Sequence, residues 1–222
     1  MSKSRLLRST IVMLYGLPGS GKTFFSRQAA DMLGIPHISS DRIRYELFEK
    51  PTFSKDEQAI VFNIMMIMLE QFTRSGLSVI LDVSLGRAAD RKLIREFAKK
   101  HKIDTMLLWL QADSESCFAR IKTRDRRKSD DQYSADMSRE QFDALERHMQ
   151  IPTGEDAVVI SGKHLFESQR NVFLRKLREM QLLSESDTAM SGLAKPGMVN
   201  LVTSAQMAAG RVDQSRRNVM IS

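Results

Sequence analysis

Residues 15–25 read YGLPGSGKTFF, and the spacing within them decides the fold. Gly16, Gly19 and Gly21, followed by Lys22 and Thr23, satisfy the P-loop pattern in full. The apolar run Ile11 to Tyr15 before the loop reads as a buried strand. After it, Phe24, Phe25, Ala29, Met32 and Leu33 recur at roughly helical spacing until Gly34 stops the helix. Strand, glycine loop and helix therefore come in the order a phosphate cradle requires. The stretch Gly16, Leu17, Pro18, Gly19, Ser20, Gly21, Lys22 and Thr23 presents backbone N–H groups, backed by a helix N-terminus, as an anion nest. Glycines let the backbone approach phosphates closely. Lys22 is placed to reach the terminal phosphates and Thr23 to bind Mg²⁺ through its hydroxyl. The loop predicts a bound nucleoside triphosphate with Mg²⁺. It leaves open whether the terminal phosphate goes to water or to another molecule.

A chain of 222 residues is long enough for one sizeable core, and 42% hydrophobic with 27% charged residues is an ordinary soluble balance. The net charge of +7 favours phosphate-rich partners through a general field, although a nucleotide enzyme with many surface Lys and Arg explains it as well. The single cysteine, Cys117, excludes an intrachain disulfide framework and suits a reducing compartment. The opening MSKSRLLRST lacks the long apolar region of a signal peptide, so residues 1–9 are expected to be a flexible lead-in. The most apolar window, AIVFNIMMIMLEQF, is broken by Asn63 and by Glu70-Gln71 and falls short of the ~20 apolar residues of a membrane span. A cytoplasmic protein without membrane association is expected.

Further along, Ile35 to Ser39 is a weaker strand opening onto SSDRIRYELF. Ser54 and Glu57 are spaced as a capping box for a helix to about Ser75. Its central Ile64, Met65, Met66, Ile67 and Met68 are expected to be buried on most sides if the helix is packed between layers, with methionine filling irregular core space. Leu77 to Leu81 is a strand ending on Asp82, followed by a helix from about Ala88 to Lys100 and a strand from Thr105 to Leu110. Ser114 is a candidate cap for a helix through Cys117 and Ile121; Ser138, with Gln141, caps another from Arg139 to Met149. Ala157 to Ile160 and Glu167 to Leu182 complete the pattern as strand and helix. Five short strands separated by helices predict an α/β domain over 10–182, a three-layer αβα arrangement around a mainly parallel sheet. Beyond about Leu183 small and polar residues dominate, which predicts a mobile polar tail over 183–222 with a short apolar segment at Met198 to Val202. The four histidines and one cysteine are scattered without zinc spacing.

Ligands on such sheets gather at the carboxyl ends of the strands, where Gly16, Asp41 and Asp82 all fall. Asp41 and Arg44 lie three apart, on one face of a first helical turn. Asp41 is either that helix's N-cap or a base that orients and deprotonates an acceptor hydroxyl, with Arg44 holding a negative group of the acceptor. Asp82 either caps the next turn or holds Mg²⁺ or the acceptor; Arg87 and Arg91 follow on the side of the same cleft. The run RIKTRDRRK, Arg120 to Lys128, is either a solvated charge run or a small helical lid at about 120–138. In the lid reading, Arg120 and Arg124 close over the phosphates on one helical face, with Arg126 and Arg127 in reserve.

GLPGSGKT, SSDRIR, VILDVSLGRAADR and the Arg-rich segment together resemble the P-loop kinases of the adenylate-kinase-like group over about residues 10–180. The resemblance is to the branch of polynucleotide 5′-hydroxyl kinases, zeta-toxin-like kinases and predicted ATP-binding kinases. It implies a P-loop NTPase fold and transfer of a phosphoryl group from ATP to a hydroxyl. It further implies that Lys22 and Thr23 serve phosphate and magnesium and that Asp41 activates the acceptor gripped by Arg44. Asp82 stands near acceptor and metal, and Arg120 and Arg124 are the lid arginines. The family often carries Thr or Asn two residues after the strand-end Asp, whereas this chain has Ser84. Kinase chemistry on a small, anionic, metabolite- or nucleotide-like acceptor accounts for the P-loop, Asp41 and lid together. A nucleotide-driven switch or hydrolase, and a non-catalytic ATP-binding module, are the competing classes. A nucleic-acid 5′ end is the less favoured acceptor, because Tyr45, Phe48 and Tyr133 form no repeated stacking platform.

Overall fold

A computed structural model describes residues 6–83, 85–125, 127 and 132–183. The expected tail lies outside them, apart from Leu183, which is buried in the core. Of the lead-in, residues 6–9 are described. Leu6 packs on the core, the Leu7 N–H donates to the Leu182 carbonyl at 3.0 Å, and Arg8 pairs with Asp104 at 2.8 Å.

The strands are β1 (Thr10–Tyr15), β2 (His37–Ser39), β3 (Val79–Asp82), β4 (Asp104–Gln111) and β5 (Ala157–Ser161). The helices are α1 (Lys22–Leu33), α2 (Ser40–Leu47), α3 (Lys55–Arg74), α4 (Ala88–His101), α5 (Ser114–Lys122), α6 (Arg139–His148) and α7 (Phe166–Glu179). Every strand pair is parallel, in the order β2-β3-β1-β4-β5. Parallel neighbours need crossovers, and helices on both faces bury the sheet from both sides. All six residues of the central β1 are accordingly buried, which is why TIVMLY is apolar without alternation.

Two core layers follow from the side-chain alternation of the strands. Val12 and Leu14 of β1 point to one layer with Phe25, Ala29 and Leu33 of α1 and Phe173, Leu174 and Leu177 of α7. Ile11, Met13 and Tyr15 point to the other, with Val61, Met65 and Leu69 of α3 and Ile94 and Ala98 of α4. A third, smaller cluster joins Cys117 and Ile121 of α5 to Phe142 of α6. In α3, Met65 is buried but Ile67 is 56% exposed. The condition for burial on most sides is not met: one face of α3 meets the core, and among the described residues no layer covers the opposite one.

The element ends differ from expectation for identifiable reasons. Strand β2 starts at His37 rather than Ile35; Pro36 has no N–H to donate, though its carbonyl accepts from Ile80 N–H at 3.0 Å. Ser54 caps α3 by accepting from Glu57 N–H, but the Glu57 carboxylate accepts from Thr52, Phe53 and Arg44, so the reciprocal half of the capping box is not made. Asp113, not Ser114, caps α5; the expected box of Ser138 and Gln141 forms in full at α6. Helix α7 stops at Glu179 because Gln181 adopts φ 55° and the Leu182 N–H turns back to the Leu177 carbonyl at 2.8 Å. That is a Schellman closure made without glycine.

Candidate functional site

The loop between β1 and α1 leaves the centre of the sheet between two walls. Gly16 has φ 144°, and a Cβ there would stand 2.4 Å from the Leu110 carbonyl oxygen of β4. Gly19 has φ 83°, and its Cβ would stand 2.2 Å from the Cys117 carbonyl oxygen of α5. Glycine is thus required twice at each position, by the left-handed backbone and by the adjoining wall. The Lys22 ammonium donates to the Gly16 and Leu17 carbonyls, each at 2.8 Å, which holds its charge over the loop. Burial lowers the pKa of Lys22, opposed chiefly by the carboxylates of Asp82 and Asp41.

Those two carboxylates arrive from separate elements. Asp41 is the second residue of α2, and the capping role falls to Ser39, whose hydroxyl accepts from Arg42 N–H at 3.3 Å. Its carboxylate is therefore not consumed as a cap and lines a cleft together with Thr23. The surrounding protein raises the pKa of Asp41 and Asp82 adds to the rise, while Lys22, Arg44 and Arg124 oppose it. Asp82 is the last residue of β3, paired with Ser39 of β2, and is 5% exposed. Its Oδ2 is buried without a hydrogen-bond partner among the described residues. His37 Nε2 lies 3.4 Å from that oxygen and 3.0 Å from the Ser26 hydroxyl.

The donor set fits ATP and Mg²⁺. Two glycines that tolerate no side chain, a lysine over the loop and a helix N-terminus suit a polyphosphate. No group of three or more His, Cys, Asp or Glu side chains assembles as a metal cage among the described residues. Magnesium at nucleotide sites takes one or two protein oxygens with phosphates and waters, so the Thr23 hydroxyl and the orphaned Asp82 oxygen are an adequate pair.

The arginines divide. Arg44 is buried at 6% exposure, bonds to Glu57 at 3.2 Å and stacks 4.7 Å from the Phe53 ring centroid. Arg87 forms a two-pronged pair with Asp90 at 2.9 and 2.8 Å on an exposed side chain. Arg91 is fully buried and binds Glu155 and the carbonyls of Leu85, Gly86 and Gln150, so it braces loops rather than facing a cleft. Arg120 donates to the Gly162 carbonyl at 2.8 Å and to that of Gly19 at 3.4 Å, which ties α5 to the P-loop. Helix α5 ends at Lys122, so Arg124 does not share a helical face with Arg120. Arg124 donates to the Ala135 carbonyl at 3.3 Å and its charge acts on both Lys22 and Asp41. Arg127 pairs with Asp125. Arg126 and the tip of the expected lid, residues 128–131, lie outside the described residues, as does Ser84.

The cleft beside Thr23 and Asp41 has a volume of about 230 Å³ and is also lined by Arg27, His37, Arg42 and Tyr133. Sequence reasoning assigned no site role to these four. Arg27 and His37 fall one helical turn past the P-loop and at the start of a strand, positions that no motif marks. Gly162, at the end of β5, was missed likewise: a Cβ there would stand 2.4 Å from the Ser20 carbonyl oxygen. No described helix is long and apolar enough to cross a membrane.

A family model described as an AAA domain matches residues 11–152. No curated protein sequence matches the chain. Among solved structures, a gluconokinase from Sinorhizobium meliloti 1021 superposes with a TM-score of 0.59 at 17% identity, covering 85% of this chain and 99% of its own. The Mycobacterium tuberculosis APS kinase CysC, in complex with AMPPNP and APS, gives 0.58 at 18% identity, covering 77% and 98%. An unliganded sugar kinase from Janibacter sp. HTCC2649 gives 0.56 at 15% identity, covering 78% and 95%. Identities this low establish likeness of fold. With the family match spanning more than half of its 222 residues, the chain belongs to this AAA-domain family and has a P-loop kinase-like fold.

Proposed function

We propose that the protein is an ATP-dependent phosphotransferase that moves the γ-phosphate to a hydroxyl of a small, anionic acceptor. The observation that carries this reading is the position of Asp41: a carboxylate not spent on capping lines the same cleft as Thr23, within the field of Lys22. A switch or hydrolase needs no such group from α2.

In the proposed step Asp41 accepts the proton of the acceptor hydroxyl as its oxygen attacks the γ-phosphorus. The bond from that phosphorus to the bridging oxygen breaks and ADP leaves. Lys22 offsets the charge that develops on the transferring phosphoryl group, and Arg124, whose charge already acts on Asp41 and Lys22, is the better placed of the two lid candidates to help. Arg120, engaged with the Gly19 and Gly162 carbonyls, supports the loop's shape. Thr23 and Asp82 would hold Mg²⁺, which would supply charge neutralisation to the transferring phosphoryl group. The finer placement beside polynucleotide 5′-hydroxyl and zeta-toxin-like kinases rests on the sequence motifs, and Arg44, buried in its pair with Glu57, is not part of the proposed acceptor grip.

Labelled ATP with a panel of hydroxyl acceptors, including 5′-hydroxyl oligonucleotides, tests the proposal. Acceptor-dependent transfer is expected, and Asp41→Ala is expected to lower kcat by roughly 10²–10⁴ while ATP still binds. Transfer undiminished in Asp41→Ala would remove the base from the mechanism.

A further inference from the structure

A buried carboxylate oxygen is costly unless a polar group faces it. Asp82 Oδ2 has no hydrogen-bond partner among the described residues, and Ser40 reaches only the backbone carbonyl of Asp82, at 3.5 Å. The polar atom that does approach Oδ2 is His37 Nε2, 3.4 Å away and also 3.0 Å from the Ser26 hydroxyl. The fold brings these side chains together. Strand β2 pairs with β3 so that Ser39 lies beside Asp82, and His37, two residues earlier, points to the same face. His37 itself pairs with Ile80, which points into the core layer built on α1, so α1 covers that face. Ser26 is fully buried on α1, one turn past Thr23.

The hydrogen bonds fix the tautomer of the ring. The Ser26 hydroxyl has one proton and donates it to the Thr23 carbonyl at 3.0 Å, as serine does within a helix. Towards His37 it can therefore only accept, which puts a hydrogen on Nε2, the nitrogen beside Asp82. At 3.4 Å the contact with Asp82 is longer than an ordinary hydrogen bond, so Ser26 takes the larger share of this proton. We infer that His37 is a positioning residue, whose Nε2–H, forked between Ser26 Oγ and Asp82 Oδ2, steadies the Asp82 carboxylate for Mg²⁺. Through Ser26 the same ring is tied to the carbonyl of Thr23, so one imidazole spans both residues proposed to hold the metal. This rests on the roles proposed for Thr23 and Asp82 and adds what sets the carboxylate's orientation. The rival role for His37 is structural, a pin between β2 and α1 that acts on Ser26 alone.

The test uses the full chain and a non-hydrolysable ATP analogue, titrated calorimetrically once in EDTA and once in saturating Mg²⁺. The ratio of the two Kd values is the gain that the metal confers, and it involves no turnover. His37→Phe keeps a ring of similar size without the N–H and is expected to cut that gain about tenfold, as loss of an outer-shell partner does, with the Kd in EDTA unchanged. His37→Gln, whose amide nitrogen reaches as far as Nε2, is expected to retain most of the gain. Ser26→Ala leaves the ring proton to Asp82 alone and is expected to keep the gain too. An independent readout needs no altered side chain at the site. Long-range ¹H–¹⁵N spectra of the wild-type chain, with the His37 signals assigned by their absence from His37→Gln, are expected to show Nε2 carrying hydrogen. An Nε2 without hydrogen overturns the inference, as does a gain unmoved in His37→Phe or a His37→Gln no better than His37→Phe. A Ser26→Ala loss equal to that of His37→Phe, or a His37→Phe that weakens binding equally in EDTA and Mg²⁺, establishes the structural pin instead. Asp82→Asn separates the two levels of the reading. If the gain is absent from wild type or survives Asp82→Asn, the metal role of Asp82 falls and this inference with it; if the gain depends on Asp82 but not on His37, the inference alone falls.

Discussion

Gly19→Ala and Gly21→Ala separate two reasons for glycine in one loop. Both positions have left-handed backbones, φ 83° at Gly19 and 99° at Gly21, so either alanine meets a conformational penalty of about 1–2 kcal/mol. Their surroundings differ. A Cβ at Gly21 has nothing within 4 Å, whereas one at Gly19 meets the Cys117 carbonyl oxygen at 2.2 Å, its carbon at 2.9 Å and its Cα at 3.1 Å. Ordinary contact begins near 3.4 Å, so loop and α5 must part by about 1 Å, and neither atom set is a flexible side-chain end. Overpacking of this kind adds about 1–3 kcal/mol. The expected losses are therefore about 1–2 kcal/mol for Gly21→Ala and about 2–5 for Gly19→Ala, a large share of a total near 5–15. Urea unfolding of the nucleotide-free protein, extrapolated linearly, measures the difference between the two variants. Because the displaced segment is the phosphate cradle, calorimetry should also find weaker ATP binding in Gly19→Ala. Equal stability of the two alanines, or ATP affinity in Gly19→Ala matching wild type, would refute the reasoning from the α5 wall.

Arg91→Met should destabilise the domain by about 3–5 kcal/mol, since it strips a buried partner from Glu155 and leaves the Leu85 and Gln150 carbonyls without their donor; a loss below about 1 kcal/mol in urea unfolding contradicts this. Glu57 carries a pKa lowered from 4.5 to about 2: burial raises it, but bonds from Thr52, Phe53 and Arg44 outweigh that. Its stabilising contribution is therefore complete above about pH 4.5 and lost as pH falls through about 2, so wild type should lose stability in that window more steeply than Glu57→Gln, and parallel curves would be inconsistent with it. Ser138→Ala removes the cap of α6 and half of a complete capping box, and should cost about 1 kcal/mol by the same unfolding assay, with no measurable change counting against the box.

The elements were legible where local chemistry acts alone. Periodicity and the stop at Gly34 delimit α1, and the Ser138–Gln141 pair announces α6, because the groups involved satisfy each other within one turn. Elsewhere tertiary competition decides. Glu57 has the spacing of a capping-box partner, but Arg44 and the N–H groups of Thr52 and Phe53 bid for the same carboxylate. That competition also explains Arg44, whose place in Asp-x-x-Arg suggests a ligand contact. Arg87 and Arg91 share a helix start, yet one pairs locally with Asp90 and the other reaches across to Glu155, a choice set by a loop some 60 residues away. The donor side of the site was readable because a glycine loop binds with its own backbone. The cleft beside Asp41 was not, because Arg27, His37, Arg42 and Tyr133 come from four segments and share no spacing.

The central place of β1 bears on how the protein is made. Strand β1 pairs with Val79–Leu81 on one side and Asp104–Trp109 on the other, and the loop behind it rests against the carbonyls of Leu110 and Cys117. Closing such distant pairings is slow and costly in chain entropy. During synthesis the complete glycine motif leaves the ribosome long before the walls that shape it. A nascent chain of a hundred residues carries every P-loop residue and no formed cradle, so the ability to hold phosphate should emerge abruptly once the fourth strand and the helix after it are in place.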